Sequence, residues 1–267
     1  ALQAANVHIP FSSRTRQKIL YAQANGGLFD LPAGTVQLAV GLNYLKLNYR
    51  DQESPLVIAD PATGKCEIGR GCTSSLSGGY NVKAAYYELF VPILNDLPGV
   101  QSLNATIGDR YSKYNTFGST NDYEFKLEWR PFQDLLLRGS LDDVFRAPNI
   151  SEEFSPLSYT SPFITSDPCD NYTGSPVNPA CVNVPTDGSF LNSAVKQGVE
   201  TSIHRAGAAA SGFPIKPESG RSFDLGAVYS PSYLPGLSTT VDFWHINLSN
   251  LISGISVSNL LNLCAQG

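Results

Sequence analysis

The chain has 267 residues, of which 15% are charged and 10% aromatic, and a formal net charge of -5. That acidic balance argues against nucleic acid as a partner, since phosphate-backbone binding needs a basic surface. No apolar run reaches the roughly 20 residues of a membrane-spanning helix, but that test is blind to strands that alternate lipid-facing and lumen-facing residues. The sequence contains no methionine, and no basic segment leading into an apolar core marks a signal peptide. The expectation is a mature or internal piece of a longer protein.

Eight strand-like runs follow in chain order. Residues 17–31 contain Asn25-Gly26-Gly27, which predicts a bulge. Residues 35–52 place Val36, Leu38, Val40, Leu42 and Tyr44 in one row, then switch to Leu45, Leu47 and Tyr49; this predicts a bulge or an exit from an apolar layer. Residues 80–94 are apolar on both faces in part. The fourth run sets Leu103, Ala105, Ile107 and Tyr111 against Asn104, Thr106, Arg110 and Ser112. The fifth is the cleanest. Tyr123, Phe125, Leu127 and Trp129 alternate with Asp122, Glu124, Lys126, Glu128 and Arg130, so one face is apolar and aromatic and the other charged. The sixth sets Leu135, Leu137, Leu141 and Phe145 against Arg138, Ser140, Asp142 and Arg146. The seventh sets Phe223, Leu225, Ala227 and Tyr229 against Ser222, Asp224 and Gly226, and the eighth Leu237, Val241 and Phe243 against Ser238, Thr240 and Asp242. Runs of about 10 to 15 residues exceed the usual five or six of a globular strand and suit tilted strands that cross a bilayer.

The connections alternate in length. Residues 31–34, 96–99, 131–134 and 234–236 are tight turns built on Pro and Gly. Residues 53–79 and 147–216 are long loops, and residues 115–119 a short one. One end of the sheet is therefore plain and the other elaborated, as in outer-membrane barrels with short periplasmic turns and longer extracellular loops. Residues 189–204 predict a short helix inside the second long loop, and residues 257–263 a helical turn or two.

Cys66 and Cys72 lie close together in the first long loop, Cys169 and Cys181 in the second, and Cys264 is left over. Local pairs in loops point to disulfides in an oxidising compartment. Zinc is the weaker alternative, because neither pair is a C-x2-C and no histidine lies near either. His8, His204 and His245 are far apart, and no phosphate-binding loop opens a helix. Asp142 and Asp143 are adjacent on a strand and point to opposite faces, so they cannot act as an acid–base pair. No catalytic residue, metal site or cofactor is expected.

Five segments, in order, carry a family resemblance. They are LPAGTVQLAV at 31–40, GYNVKAAYYELFVP at 79–92, RYSKYNTF at 110–117, LEWRPFQDLLLRGSLDDVFRAP at 127–148 and VDFWHINL at 241–248. Together they resemble the barrel of TonB-dependent outer-membrane receptors, with Phe145, Arg146, Ala147 and Pro148 as the signature. Asp142-Asp143-Val144 departs from the family's usual residues before that signature, and Asp109 interrupts an otherwise apolar row. The resemblance implies an all-β, antiparallel up-and-down meander: an open curved sheet of about eight of the roughly 22 strands of a plugged barrel. Residues 1–267 would form part of one barrel domain, without the plug domain or the closing strands.

The resemblance also implies roles. Arg110, Glu128, Arg130, Arg138, Asp142, Arg146, Asp224 and Asp242 would line the lumen or contact the plug, with Arg146 anchoring strand to plug or to a neighbouring strand. Leu103, Ile107, Tyr123, Phe125, Leu127, Trp129, Leu135, Leu137, Phe223, Leu225 and Phe243 would face lipid. Tyr44, Tyr86, Tyr111, Tyr123, Trp129, Tyr229 and Trp244 suit interfacial girdles. The implied function is energy-dependent uptake of a scarce nutrient, a siderophore–iron complex or an oligosaccharide, bound at the long loops in the bacterial outer membrane. The partners would be lipid, the plug of the same parent chain and, through the plug, TonB. A passive porin-like barrel and a soluble secreted β-sandwich binding module are the alternatives.

Overall fold

The computed structural model describes residues 7–58, 60, 66–68, 72–160, 167–192 and 203–266. Eight long strands form one antiparallel sheet: β1 (Ser12–Leu31), β2 (Gly34–Gln52), β3 (Ser77–Leu97), β4 (Val100–Tyr114), β5 (Gly118–Phe132), β6 (Leu135–Arg146), β9 (Glu218–Tyr229) and β10 (Thr239–Ser249). Their order in the sheet is their order in the chain. Between β6 and β9, β7 (Ser158–Thr160) and β8 (Ile203–Arg205) pair as a separate two-stranded ribbon. Helices α1 (Ile150–Phe154) and α2 (Ala208–Ser211) lie in the same long connection, and α3 (Val257–Gln266) follows β10.

The meander follows from turn chemistry. Leu97 pairs with Val100 across Pro98-Gly99, and Gly99 has φ 76°. Proline at the first central position and glycine at the second is the order a type II turn requires. Leu31 pairs directly with Gly34 in the β1–β2 turn. The turns after β1, β3 and β5 lie at one end of the sheet, and the three-residue turn 115–117 lies at the other. The connections 53–76 and 147–217 also leave from that second end.

No second sheet covers the long one among the described residues. Tyr123, Phe125, Leu127 and Trp129 are 55%, 41%, 38% and 39% exposed. A β-sandwich would bury that row between its sheets, so the sandwich alternative falls. The buried apolar residues are few and small: Val36, Val82, Ala84, Ala105, Cys181 and Ala208.

The register decides between the two readings of β2. The bulge anticipated in β2 is absent: β2 pairs in continuous register with β3 from Gln37 to Arg50. What changes near Tyr44 is which face is apolar. Leu45 and Leu47 lie opposite Val82 and Tyr80, on the face where the loops pack. The helix anticipated at 189–204 falls mostly outside the described residues, and its last two residues belong to β8. In β1 the register shifts between Gly27 and Phe29, beside the anticipated glycines, and α3 includes the anticipated turns at 257–263.

Candidate functional site

Cross-strand partners share a face, so the register assigns every strand residue to one of two faces. Leu103 pairs with Trp129, Ile107 with Phe125, and Asp109 with Tyr123. Trp129 in turn pairs with Leu137 and Leu135 with Phe132, while Leu141 pairs with Phe223 and Gly139 with Leu225. Leu225 then pairs with Phe243. Every residue expected to face lipid thus lies on one face. That band holds a cleft of about 290 Å³ where Gly139 lacks a side chain, between Leu127, Leu137, Phe223 and Leu225. His245, opposite Phe223, extends the same row.

The opposite face collects every residue expected to line the lumen. Glu128 lies opposite Arg138, and Glu124 opposite Asp142. Arg138, Gly226 and Asp242 are in register across three strands. Arg130 lies opposite Ser102 and Arg110 opposite Asp122, while Asp224 lies opposite Ser140. Two of the aromatics assigned to girdles belong here instead. Tyr86 lies opposite Arg110, and Trp244 opposite Asp224. The period of two decides this: both fall one residue out of step with the apolar row.

Glycine gaps organise this polar face. The Arg138 Nη2 to Asp242 Oδ1 ion pair of 2.8 Å passes over Gly226, where a Cβ would collide with both side chains. Tyr86 likewise lies across Gly41, donates its hydroxyl to Gln23 Oε1 at 3.4 Å, and carries the Arg110 guanidinium 5.8 Å from its ring centre. Lys126 pairs with Glu124 along β5. A cavity of about 380 Å³ opens beside Tyr86, lined by Gln23, Asn25, Gln37, Glu88 and Phe90.

At the loop end, the signature segment builds a clasp. Pro148 and Asn149 end β6, and Asn149 caps α1 in a capping box: its Oδ1 accepts from the Glu152 amide at 2.8 Å, and Glu152 Oε2 accepts from the Asn149 amide at 2.7 Å. Arg146 holds two carboxylates at once. Its Nε and Nη2 donate to Glu218 at 2.7 and 2.6 Å, and its Nη1 and Nη2 to Glu152 at 3.0 and 3.1 Å. Glu218 also accepts the Ile252 amide at 2.8 Å, tying the segment after β10 to the same point. Arg146 lies five residues beyond Leu141 and Glu218 five before Phe223, outside the apolar band. The Arg146 guanidinium, helped by the Ile252 amide, holds the Glu218 carboxyl down to about 2. Arg146 therefore anchors β6 to β9 and to α1. The Asn149-x-x-Glu152 spacing of a capping box was a local signal for Glu152 that went unread. Glu218, 72 residues from Arg146, carried no local signal.

The loops are stapled and packed. Cys66 is bonded to Cys72, and Cys169 to Cys181, each with Cα atoms 5.6 Å apart; Cys264 is free and exposed. Phe154 of α1 lies against Gly78, and Gly207 donates its amide to Ser155 O at 2.8 Å. Ser74 Oγ donates to Leu157 O at 3.2 Å, joining the two long loops. Tyr80, Tyr114, Phe117 and Phe145 form an aromatic cluster with centroid separations from 4.5 to 6.1 Å. Among the described residues no cluster of His, Cys, Asp and Glu is placed to hold a metal ion.

Comparison with known proteins agrees with this geometry. The family model for the TonB dependent receptor-like β-barrel matches residues 4–265. No curated protein sequence matches. Among solved structures, the siderophore receptor PirA from Acinetobacter baumannii superposes with a TM-score of 0.58 at 14% identity. The ferric enterobactin receptor mutant (Q482A) from Pseudomonas aeruginosa, PfeA, in complex with enterobactin, superposes with a TM-score of 0.57 at 16% identity. In both cases the match covers 88% of this chain and 27% of the other, so this chain spans about a quarter of those receptors. The chain belongs to the family of TonB-dependent receptors, within their β-barrel.

Proposed function

We propose that this chain forms part of the wall of an outer-membrane importer that takes up a scarce nutrient with energy delivered through TonB. The observation that carries the reading is the division of one uncovered sheet into an exposed apolar face and an opposite face of charged and polar groups. A lipid bilayer on one side and a polar lumen on the other explain both faces at once. In this reading the row Leu103, Ile107, Tyr123, Phe125, Leu127, Trp129, Leu135, Leu137, Phe223, Leu225 and Phe243 faces lipid. Arg110, Glu128, Arg130, Arg138, Asp142, Asp224 and Asp242 face the lumen and the plug. The stapled loops carry ligand recognition, as loops on a rigid scaffold do. A ferric siderophore is the preferred cargo over an oligosaccharide, because the solved structures that superpose are named as siderophore and ferric enterobactin receptors. Radioiron uptake from a panel of ferric siderophores, in cells whose only candidate importer is the intact receptor, tests this. Uptake that stops when TonB is deleted supports the importer. Uptake that continues at the same rate supports a passive porin-like barrel instead.

A further inference from the structure

One carboxylate stands without a partner on the face that carries the apolar band. Asp109 follows Leu103, Ala105 and Ile107 on that face of β4. Its Oδ1 is buried and accepts no hydrogen bond among the described residues, and no cation among them forms an ion pair with it. Its neighbours are aromatic on three sides. Tyr87 of β3 and Tyr123 of β5 lie directly opposite it, and Tyr111 is the next residue of β4 on the same face. Cross-strand partners hold their Cβ atoms about 5 Å apart, and alternate residues of one strand stand about 7 Å apart. Three phenol rings therefore border one carboxylate, and all three tyrosines are exposed. Ala85, opposite Tyr111, leaves the loop side of Tyr87 open. The outward rows nearer the loops are basic, with Lys18 in register with Lys46 and Lys83 with Lys113. Lys113, the nearest of these along β4, is four residues away, about 14 Å and beyond the reach of an ion pair. Arg221, the next outward cation toward β10, is taken by Asp143 at 3.5 Å. A carboxylate withdrawn from water without a counter-charge is costly, so the arrangement calls for a cation from outside the chain.

We propose that Asp109, Tyr87, Tyr111 and Tyr123 bind the ammonium group of a lipid headgroup. The proposal rests on the apolar band facing lipid, and it goes further by giving one point of that face a ligand. The chemistry is that of an aromatic box. Tyrosine rings attract an alkylammonium over their faces, and the carboxylate accepts a charge-assisted hydrogen bond from its N–H groups. A hard metal cation asks for several oxygen ligands, and no cluster of His, Cys, Asp and Glu among the described residues supplies them. The height fits a lipid. Asp109 is nine residues beyond Val100, where β4 leaves its turn. At about 3.4 Å per residue and a tilt near 45°, it stands about 22 Å above that turn, just under the top of a band about 25 Å tall. Below it Ile107, Phe125 and Leu127 continue the same face into the band. The acyl chains of one lipid can lie along that wall while its ammonium reaches the box, and this apolar continuation favours a lipid over a soluble amine.

The test uses the intact receptor in a neutral detergent, with phosphatidylethanolamine and its N-acetylated form as probes. The two share chains and phosphate and differ in the positive charge on nitrogen. The wild type is expected to bind phosphatidylethanolamine about tenfold more tightly than the N-acetylated lipid. Asp109→Asn should lose that preference while its melting temperature in lipid-free detergent stays at or above the wild-type value, because it removes an unpaired charge. Tyr87→Leu with Tyr123→Leu should lower the preference about threefold with Asp109 in place. Equal binding of the two probes by the wild type, or an unchanged preference in either variant, overturns the proposal. So does displacement of the lipid by free ethanolamine at equal concentration, which would mark a site for soluble amines. Insertion into phosphatidylglycerol vesicles, which carry no ammonium, is measured in parallel. A receptor that inserts but shows no ammonium preference refutes this proposal alone, and one that does not insert refutes the membrane reading beneath it.

Discussion

The turn end and the loop end of this sheet are built from the same strands on opposite principles. Near the turns, the large apolar side chains of β9 and β10 stand exposed on one face: Leu225 is 50% and Phe243 63% accessible. Polar residues on the other face neutralise one another across glycine gaps, as Arg138 and Asp242 do over Gly226. Near the loops the pattern inverts. The outward rows become basic, and the inward face gathers the few buried strand residues there, Val82, Ala84 and Ser112. One strand can therefore change its apolar face without a bulge, because what changes is the surroundings and not the register. An apolar row in such a protein reports the solvent at that height.

The sharpest way to break this comparison is a charge placed at two heights on one face. Leu127→Arg, in the band, should cost about 2–4 kcal/mol, since Arg near the bilayer midplane is penalised by that amount. Asn121→Arg, on the same face and strand near the loops and opposite Tyr111, should cost nothing measurable. Reversible urea unfolding of the intact receptor in vesicles checks both. Equal costs would mean that the band does not face lipid.

Next comes the polar face near the turns. Gly226→Val puts branched carbon where the Arg138–Asp242 pair passes and should cost about 1–3 kcal/mol as overpacking. Adding Arg138→Ala and Asp242→Ala should recover most of that loss, because the space is then vacant. No recovery would show that Gly226 is needed for its backbone and not for the gap.

How much of this was legible beforehand depends on the range of each interaction. A period of two is written in consecutive residues, so Tyr123 to Trp129 announced a two-faced strand and the whole meander followed from repeats of it. The cysteine pairs lie 6 and 12 residues apart and were equally local. Tyr86 and Trp244 were misassigned because aromatic character was read without parity. The reversal in β2 left a bulge and an exit from the apolar layer both open, because a change of environment and a change of register leave the same trace in one strand; the pairing with β3 excludes the bulge. The Arg146–Glu218 pair was invisible, since only the closure of the 147–217 connection brings its ends together.

That clasp supplies a third test, smaller and confined to the loop end. The Glu218 carboxyl is depressed in the fold, to about 2 from an ordinary 4.5. A depressed acid contributes stability that is complete above its unfolded value and disappears as pH falls through its folded one. The clasp should therefore hold at all pH values above about 4.5 and loosen between there and about 2. Amide exchange at residues 149–155 and 252, corrected for intrinsic rates, should rise only in that window. In Arg146→Gln the dependence should vanish, while exchange in the band between β5 and β6 stays unchanged in both proteins. A uniform rise across the sheet would mean that the two ends melt together.

The smallest expected effect lies one residue from the clasp and has the opposite sign. Glu152 is held by Arg146 and by its own capping box. Glu153 next to it has a buried Oε2 with no hydrogen-bond partner, and burial pushes its carboxyl upward. A raised acid favours its neutral form, so the charged form penalises the fold above the folded value, and the penalty disappears as pH falls below the ordinary 4.5. Glu153→Gln removes the charge at every pH. Because the side chain is only partly withdrawn from water, the gain at neutral pH should be no more than a few tenths of a kcal/mol. It should appear as slower exchange in α1 at pH 7 and fade toward pH 4. Glu152→Gln, by contrast, should quicken exchange in the same helix, because it weakens both the cap and the clasp. Two adjacent glutamates with opposite responses would show that the loop end is tuned residue by residue. Identical responses would mean that Glu153 is satisfied by a water and that only the net charge of α1 matters.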